Sequence, residues 1–116
     1  MDFGLSDGDR AFQERVRAFA NDRLAGDALR RVHDDSYPHD VARMMAEEGL
    51  LGLTIPVEDG GRGGTLLQAI LAIEAVSEVC PKSADVLQVG NFGPIRLLSA
   101  FGTEDQKQRY LAPLLR

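Results

Sequence analysis

The sequence contains few of the residues that build disulfides and metal centres. It has one cysteine, two histidines and no tryptophan among 116 residues. Cys80 cannot form an internal disulfide and has no cysteine or histidine at metal-ligand spacing, so we expect it to be a small buried apolar residue. His33 and His39 flank an acidic segment, but their spacing does not place three ligands on one face. We interpret this segment as a solvated linker and predict no metal site.

Positive charge and long apolar runs are also scarce. The formal net charge is -5, the pI is about 4.9, and the basic residues are scattered among acidic ones. Such a surface repels nucleic acid, so no nucleic-acid partner is expected. No apolar run approaches the roughly 20 residues of a membrane span, and the first residues lack the basic and apolar regions of a signal peptide. The sequence predicts a cytoplasmic protein without a membrane span.

The alternation of apolar and polar residues that indicates β-strands is absent, and no internal repeat is visible. The composition, 44% hydrophobic and 27% charged, is that of an ordinary globular protein, and the length suits one domain over residues 1–116. Apolar residues recur at helical spacing between short links. We predict an all-α fold, an irregular and largely antiparallel bundle of about five helices.

The first two predicted helices are marked by their ends. Ser6 with an acidic residue three positions later resembles a capping box, and the helix that it begins runs to about Leu24. Pro38 suits the first turn of the second helix, where its missing N–H costs nothing. Gly49 follows the end of that helix and predicts a left-handed C-terminal turn of the Schellman type.

The third and fourth predicted helices are more apolar. Thr65 begins a helix over residues 66–79 that is apolar almost all round and is therefore expected at the centre of the bundle. Pro81 is predicted to end it and Ser83 to cap the fourth helix. A kink is expected at residues 93–94, a Gly-Pro pair, because proline removes a helical hydrogen bond. Gly102 ends this helix.

The fifth predicted helix follows Thr103 and Gln106, which form a second clear capping box. Helical periodicity predicts that Tyr110, Leu111 and Leu114 point inward.

The segment 60–64 holds four glycines in five positions before the capped helix at Thr65. A Walker phosphate loop needs a lysine after its last glycine, and a dinucleotide-binding loop needs a preceding strand; neither is present. A bend is favoured, although a helix N-terminus with free amides retains the alternative of weak anion binding.

Few side chains suggest catalysis. Glu74 is the only charge in its part of an apolar helix; a buried, unpaired carboxyl would suit a general base, and capture by an arginine or a helix end is the favoured alternative. Ser77, Ser83 and Ser99 have no histidine at a plausible spacing for a hydrolytic triad. No catalytic residue is assigned.

The order of these signals resembles the N-terminal helical domain of the acyl-CoA dehydrogenase family over essentially the whole chain. The closing G-[ST]-x-x-Q-[KR]-x-x-Y-L-x-P-L string is the most specific match, followed by P-x-E-x-G-G. One departure occurs at Asp59, where the family often has an aromatic residue. The matching segments are Gly4-Leu5-Ser6, the Pro38 helix, Glu48–Leu53, Ile55–Gly61 and Phe101–Leu114.

The resemblance implies an FAD-dependent oxidoreductase that removes an α-proton and a β-hydride from an acyl-CoA thioester. Family members add a middle β domain, which holds much of the flavin, and a C-terminal helical domain. This chain resembles the first domain only, so FAD is not expected to bind it alone, and its own flavin-contacting residues are unknown. The partners implied are acyl-CoA, an electron acceptor, the other domains or a partner chain, and further copies in a homo-oligomer.

The resemblance also implies that this domain forms one wall of the acyl pocket. By position, the wall residues are Asp85, Val86, Val89, Phe92 and Gly93. The alternative, that the apolar members of this set are simply core, stays open at this point. Asp85 indicates either a polar acyl group or a side chain that faces water.

Three functional hypotheses follow. The first is the N-terminal portion of an acyl-CoA dehydrogenase, not catalytic alone, and an ending at Arg116 suits a domain junction. The second is a stand-alone, non-catalytic helical interaction module derived from that fold. The third is a small-ligand binder that uses a groove between the third and fourth helices.

Overall fold

All residues from 1 to 116 are described by a computed structural model, and they form helices and turns without any β-strand. The predicted all-α fold is therefore confirmed. None of the helices combines the length and apolar character that crossing a membrane requires. The helices are α1 (Asp7–Arg23), α2 (Ala28–Val32), α3 (His39–Glu47), α4 (Leu66–Ser77), α5 (Pro81–Asn91), α6 (Pro94–Phe101), α7 (Glu104–Gln106) and α8 (Ala112–Leu114).

Helix α4 lies at the centre, as its apolar composition predicts, because α1 and α5 both pack against it. The main core forms where these helices meet the turn after α3, and Ile55, Ile95 and Leu111 form a second, smaller cluster. The molecule measures 43 × 40 × 21 Å, so its thin dimension is about two helix diameters. Two layers cannot cover every apolar face, and the N-terminal half of α4 exposes Leu66 and Ile70.

Several predicted helix ends are confirmed, among them the capping box of Thr103 and Gln106 at the start of α7. The Ser6 side chain caps α1, and Thr65 forms a complete capping box at the start of α4. At the end of α3, Gly49 has a positive φ of 71°, and its amide donates to the Ala46 carbonyl. The next amide, of Leu50, donates to Met45, which completes the Schellman motif.

The predicted start of the fourth helix is wrong. Pro81 does not end α4, which stops at Ser77; it occupies the first turn of α5 instead, where its lack of an N–H is harmless. Ser83 is not a cap. It is fully buried in the first turn, and its hydroxyl donates to the Sγ atom of Cys80.

The predicted kink at the Gly-Pro pair is a complete break. Phe92 is extended, Gly93 adopts φ 63° and ψ -128°, and Pro94 begins the separate helix α6. A conformation of this kind is accessible to glycine and strained for other residues, so the chain can change direction here. The predicted fourth helix is thus two helices, α5 and α6.

The C-terminal segment contains a π-helical turn over Lys107–Leu111, between α7 and α8. Pro113 lies two residues after this turn and cannot donate to the carbonyl four residues earlier, which favours the wider turn. The wider turn shifts the helical register. Leu111 is buried as predicted, but Tyr110 and Leu114 are more than half exposed, so the prediction that they point inward is wrong.

Helix α2 is not predicted by any periodic pattern. Its anchor is Arg31, which is only 4% exposed. The Arg31 Nη1 atom donates to the Leu24 carbonyl at 3.0 Å, and Nη2 lies 3.7 Å from carboxylate oxygens of Asp27 and Asp40. A buried guanidinium, rather than an apolar stripe, holds this short helix against the end of α1.

Candidate functional site

A cleft of about 560 Å³ opens between α5 and the start of α3. Val86 and Val89, three positions apart, lie on the same face of α5; Val86 is buried, whereas Val89 is 59% exposed. The cleft therefore presents an apolar strip along one helix. Its apolar side is lined by Leu51, Val86, Val89, Gly90, Pro94 and Ile95.

The opposite side of the cleft is more polar. Tyr37, just before α3, and His39 and Arg43 on α3 line it. The rings of Tyr37 and His39 meet edge to face, with centroids 4.8 Å apart. Leu114 lines the cleft from α8. The exposed position of Leu114, which periodicity fails to predict, thus brings an apolar side chain to the cleft.

A second recess of about 340 Å³ continues from the cleft. The two share Tyr37, Val86 and Val89. The apolar strip of α5 therefore leads into a region lined by charged and hydroxyl groups. The polar residues of the second recess are Asp35, Ser36, Lys82 and Asp85, together with the Tyr37 hydroxyl.

Not all five residues predicted to form an acyl-pocket wall lie together. Asp85, Val86 and Val89 border the two connected spaces. Phe92 is half-buried and packs against the main core, and Gly93 borders a different depression, next to α6. Phe92 and Gly93 form the break between α5 and α6 and lie outside the cleft, whereas the chain returns to the cleft at Pro94 and Ile95.

No sequence pattern singles out Asn91, which is the main support of the cleft wall. Its side chain is fully buried. The Asn91 Nδ2 atom donates to the carbonyls of Leu50 and Leu87, both at 2.9 Å, and the Leu53 amide donates to Oδ1 at 2.6 Å. The Thr54 hydroxyl donates to the Asn91 carbonyl. Asparagine at a helix end commonly faces water, so its burial is not evident from sequence.

The glycine loop is a self-contained turn. The amides of residues 60–64 donate, in order, to the carbonyls of Val57, Pro56, Gly52, Ile55 and Leu53. The next amide, of Thr65, donates to the Gln68 side chain of the capping box. No amide in this run is free to bind a phosphate, so the bend interpretation holds. The glycine loop does not fit the pyrophosphate of a dinucleotide such as FAD.

Asp59, where the sequence departs from the family pattern, joins the glycine loop to the C-terminal half of the chain. Its carboxylate accepts from the Ser99 hydroxyl at 2.6 Å and from Lys107 Nζ at 2.9 Å. These two interactions, first Ser99 and then Lys107, lower the pKa of Asp59. The same hydrogen bond to Asp59 raises the pKa of Lys107. Asp59 and Lys107 thus form an ion pair between residues that are 48 positions apart in the chain.

The remaining candidate groups do not form a catalytic site. Glu74 is exposed and accepts a hydrogen bond from Gln13 at 3.0 Å, so it is neither buried nor captured by an arginine. Ser77, Ser83 and Ser99 bond to a backbone carbonyl, a thiol and a carboxylate, respectively, and none bonds to histidine. No group of three or more His, Cys, Asp or Glu side chains is placed to hold one metal ion.

Known proteins resemble this chain in sequence and in fold. The family described as "Acyl-CoA dehydrogenase, N-terminal domain" matches residues 6–116. The chain belongs to this family. Among its curated relatives is "Acyl-CoA dehydrogenase, short-chain specific" of Clostridium acetobutylicum, 32% identical over 98% of this chain. Another is "3-sulfinopropanoyl-CoA desulfinase" of Paraburkholderia xenovorans, 32% identical over 91% of this chain.

A solved structure has the same fold as this chain. It comes from work on the electron transferring flavoprotein of Acidaminococcus fermentans, with a TM-score of 0.86 and 32% identity over 99% of this chain. The present chain spans 30% of that structure. It likewise spans 27% to 30% of the length of the two curated relatives. The chain therefore spans less than a third of the length of each of these relatives.

Proposed function

We propose that this domain forms the helical wall of the acyl site in an FAD-dependent acyl-CoA dehydrogenase that acts in the cytoplasm. The complete protein in this proposal also has a middle β domain and a C-terminal helical domain, passes electrons to a separate acceptor and assembles as a homo-oligomer. The observation that carries the proposal is the cleft of about 560 Å³ along α5, whose apolar strip suits the hydrocarbon part of an acyl thioester.

The contribution of this domain is binding and exclusion of water. Val86 and Val89 contact the acyl chain, and Phe92 supports their helix from the core side. Asp85 lies in the second recess, at one end of the strip, where an acyl group with a polar end would be tolerated better than a long hydrocarbon. Gly93 acts only through the chain reversal that it permits.

The flavin and the base that removes the α-proton belong to parts of the complete protein outside this domain. FAD bound in those parts would supply the acceptor for a hydride. The glycine loop cannot hold its pyrophosphate, because the loop amides are already used within the turn. We expect no measurable binding when the isolated chain is titrated with FAD and followed by flavin fluorescence. Tight binding would contradict the assignment of the flavin to other domains.

The decisive test uses the protein encoded by the full open reading frame that contains this sequence. Anaerobic mixing with acyl-CoA thioesters should bleach the visible absorbance of the oxidised flavin, because hydride transfer reduces it. Val89→Asp places a carboxylate on the apolar strip and should raise KM at least about tenfold. The matched control is Val32→Asp on α2, away from the cleft and similarly exposed at 57%, which should leave KM unchanged.

A second candidate is a non-catalytic interaction module. It is favoured by the exposed apolar residues Leu97 and Phe101 on α6, which are 60% and 82% exposed. The third hypothesis is a small-ligand binder that uses a groove between the third and fourth predicted helices, which correspond to α4 and to α5 with α6. No residue of α4 lines the cleft described above, so that cleft does not favour this hypothesis. If the full-length protein binds no flavin and no thioester bleaches flavin absorbance, the dehydrogenase proposal is contradicted. The interaction module and the small-ligand binder would then remain.

A further inference from the structure

Gly90 and Leu51 are in direct contact at the floor of the cleft. A Cβ atom added to Gly90 would lie 2.6 Å from Leu51 Cδ2 and 3.5 Å from Leu51 Cγ. Both residues line the cleft. Glycine at this position therefore provides the space that the Leu51 side chain occupies.

The backbone around this contact is held on both sides. The Gly52 amide donates to the Gly90 carbonyl at 2.8 Å. The neighbouring Asn91 side chain bonds to the carbonyl of Leu50 and to the amide of Leu53. The two backbones cannot separate without breaking these bonds, so a larger residue at position 90 must displace the Leu51 side chain instead.

The direction of that displacement is set by packing. Leu51 is only 9% exposed and belongs to the main core, so most of its surroundings are filled. Close-packed interiors resist even one added methylene, whereas the cleft is open. A displaced Leu51 side chain therefore enters the cleft and makes it shallower.

We infer that the Gly90–Leu51 pair sets the depth of the cleft and thereby the length of acyl chain that the protein accepts. This inference rests on the proposed function, because it concerns the same cleft. Neither residue is among the positions that the family resemblance points to. Their role depends on a contact between α5 and the turn after α3, not on the exposed strip of α5.

The test measures kcat/KM of the full-length protein for straight-chain acyl-CoA thioesters of increasing length. Gly90→Ala should shift the ratio of short-chain to long-chain kcat/KM toward short chains by about tenfold. This is roughly the discrimination in kcat/KM that an apolar pocket achieves between substrates differing by one methylene. Leu51→Ala removes side-chain volume from the floor and should shift the same ratio toward long chains. Adding Leu51→Ala to Gly90→Ala should restore long-chain activity.

Gly26→Ala is the control, because nothing lies within 4 Å of a Cβ atom at that position. It should not alter the ratio. Far-ultraviolet circular dichroism establishes that each variant is folded, and Leu51→Ala keeps the test decisive if Gly90→Ala does not fold. A uniform loss of kcat/KM at every chain length in folded variants would overturn the inference. Absence of turnover by the parent protein with every thioester would instead overturn the proposed function, and this inference with it.

Discussion

The Oδ1 atom of Asn91 accepts a hydrogen bond of 2.6 Å from the amide of Leu53, 38 positions earlier in the chain. The Nδ2 atom of the same side chain donates to the carbonyls of Leu50 and Leu87. One buried amide thus joins α5 to the turn after α3. These are the two segments whose contact forms the floor of the cleft.

Replacing Asn91 with leucine should destabilise the domain strongly. Leucine has a similar size but leaves the Leu53 amide and the Leu50 carbonyl without side-chain partners, and each buried unpaired group costs about 1–3 kcal/mol. We expect the free energy of unfolding, measured with urea, to fall by about 3 kcal/mol. Asn21→Leu is the control, because that exposed side chain bonds only to the Arg17 carbonyl within α1. Equal losses in the two variants would contradict the role of Asn91.

The glycine loop makes a prediction that concerns Gly61. A Cβ atom there would overlap the carbonyl oxygen of Ile55. Because that atom is backbone and cannot swing aside, Gly61→Ala should lower the free energy of unfolding by about 2 kcal/mol or more. Gly26→Ala, in an open position, should change it by less than about 1 kcal/mol in either direction. Urea titration of both variants checks this, and a Gly61→Ala protein as stable as the parent would refute the packed-turn description.

The interactions of the Asp59 carboxylate predict how the free energy of unfolding depends on pH. Its pKa is lowered in the folded state by hydrogen bonds from Ser99 and Lys107. A carboxyl of this kind stabilises the fold above its unfolded pKa of about 4, and this contribution is lost as the pH falls toward the folded pKa. Asp59→Asn should therefore be less stable than the parent at neutral pH, and the difference should shrink below about pH 4.

Thermal unfolding of the parent and Asp59→Asn across this pH range measures that difference. Asp105→Asn on α7 serves as an exposed-carboxylate control. A stability difference between Asp59→Asn and the parent that stays constant down to the acid limit would show that the Asp59 charge is not responsible.

The exposed apolar residues of α6 predict dye binding or self-association by the isolated chain. Phe101 and Leu97 lie on the same helix, one turn apart, and both are more than half exposed. Phe101→Ser should reduce the fluorescence of a bound hydrophobic dye. Phe3→Ser is the matched control, because Phe3 is 86% exposed. A monodisperse parent chain that binds no dye would contradict the prediction.

Much of the fold follows from local sequence because the signals act over a few residues. The Thr65 capping box and the Gly49 Schellman turn are examples, since each depends on partners three to five positions away. Errors arise where two local signals compete. Pro81 can end one helix or begin the next, and only its packing in the first turn of α5 decides between them. The prediction that Tyr110 points inward is wrong for a related reason, because a π-helical turn changes the helical register that periodicity assumes.

The candidate site divides in the same way. Val86 and Val89 can be predicted to share a face because three-residue spacing on a helix requires it. The contact between Gly90 and Leu51 cannot, because it joins segments separated by 39 positions (90 minus 51), and no short-range pattern records such a pairing. The break at Gly93 is indicated in the sequence by a Gly-Pro pair. The angle between α5 and α6, which leaves Phe92 outside the cleft, cannot be predicted from that pair.

The sequence by itself determined the helical class, the capped helix ends such as those at Thr65 and Gly49, and the absence of a phosphate-binding signature, since these depend on propensity, capping and the residues next to the glycines. Only the tertiary structure decided which apolar residues line a cleft and which fill the core. Burial depends on how helices distant in the chain pack together. Here the buried Asn91 side chain and the absence of a side chain at Gly90 bring α5 close to the turn after α3.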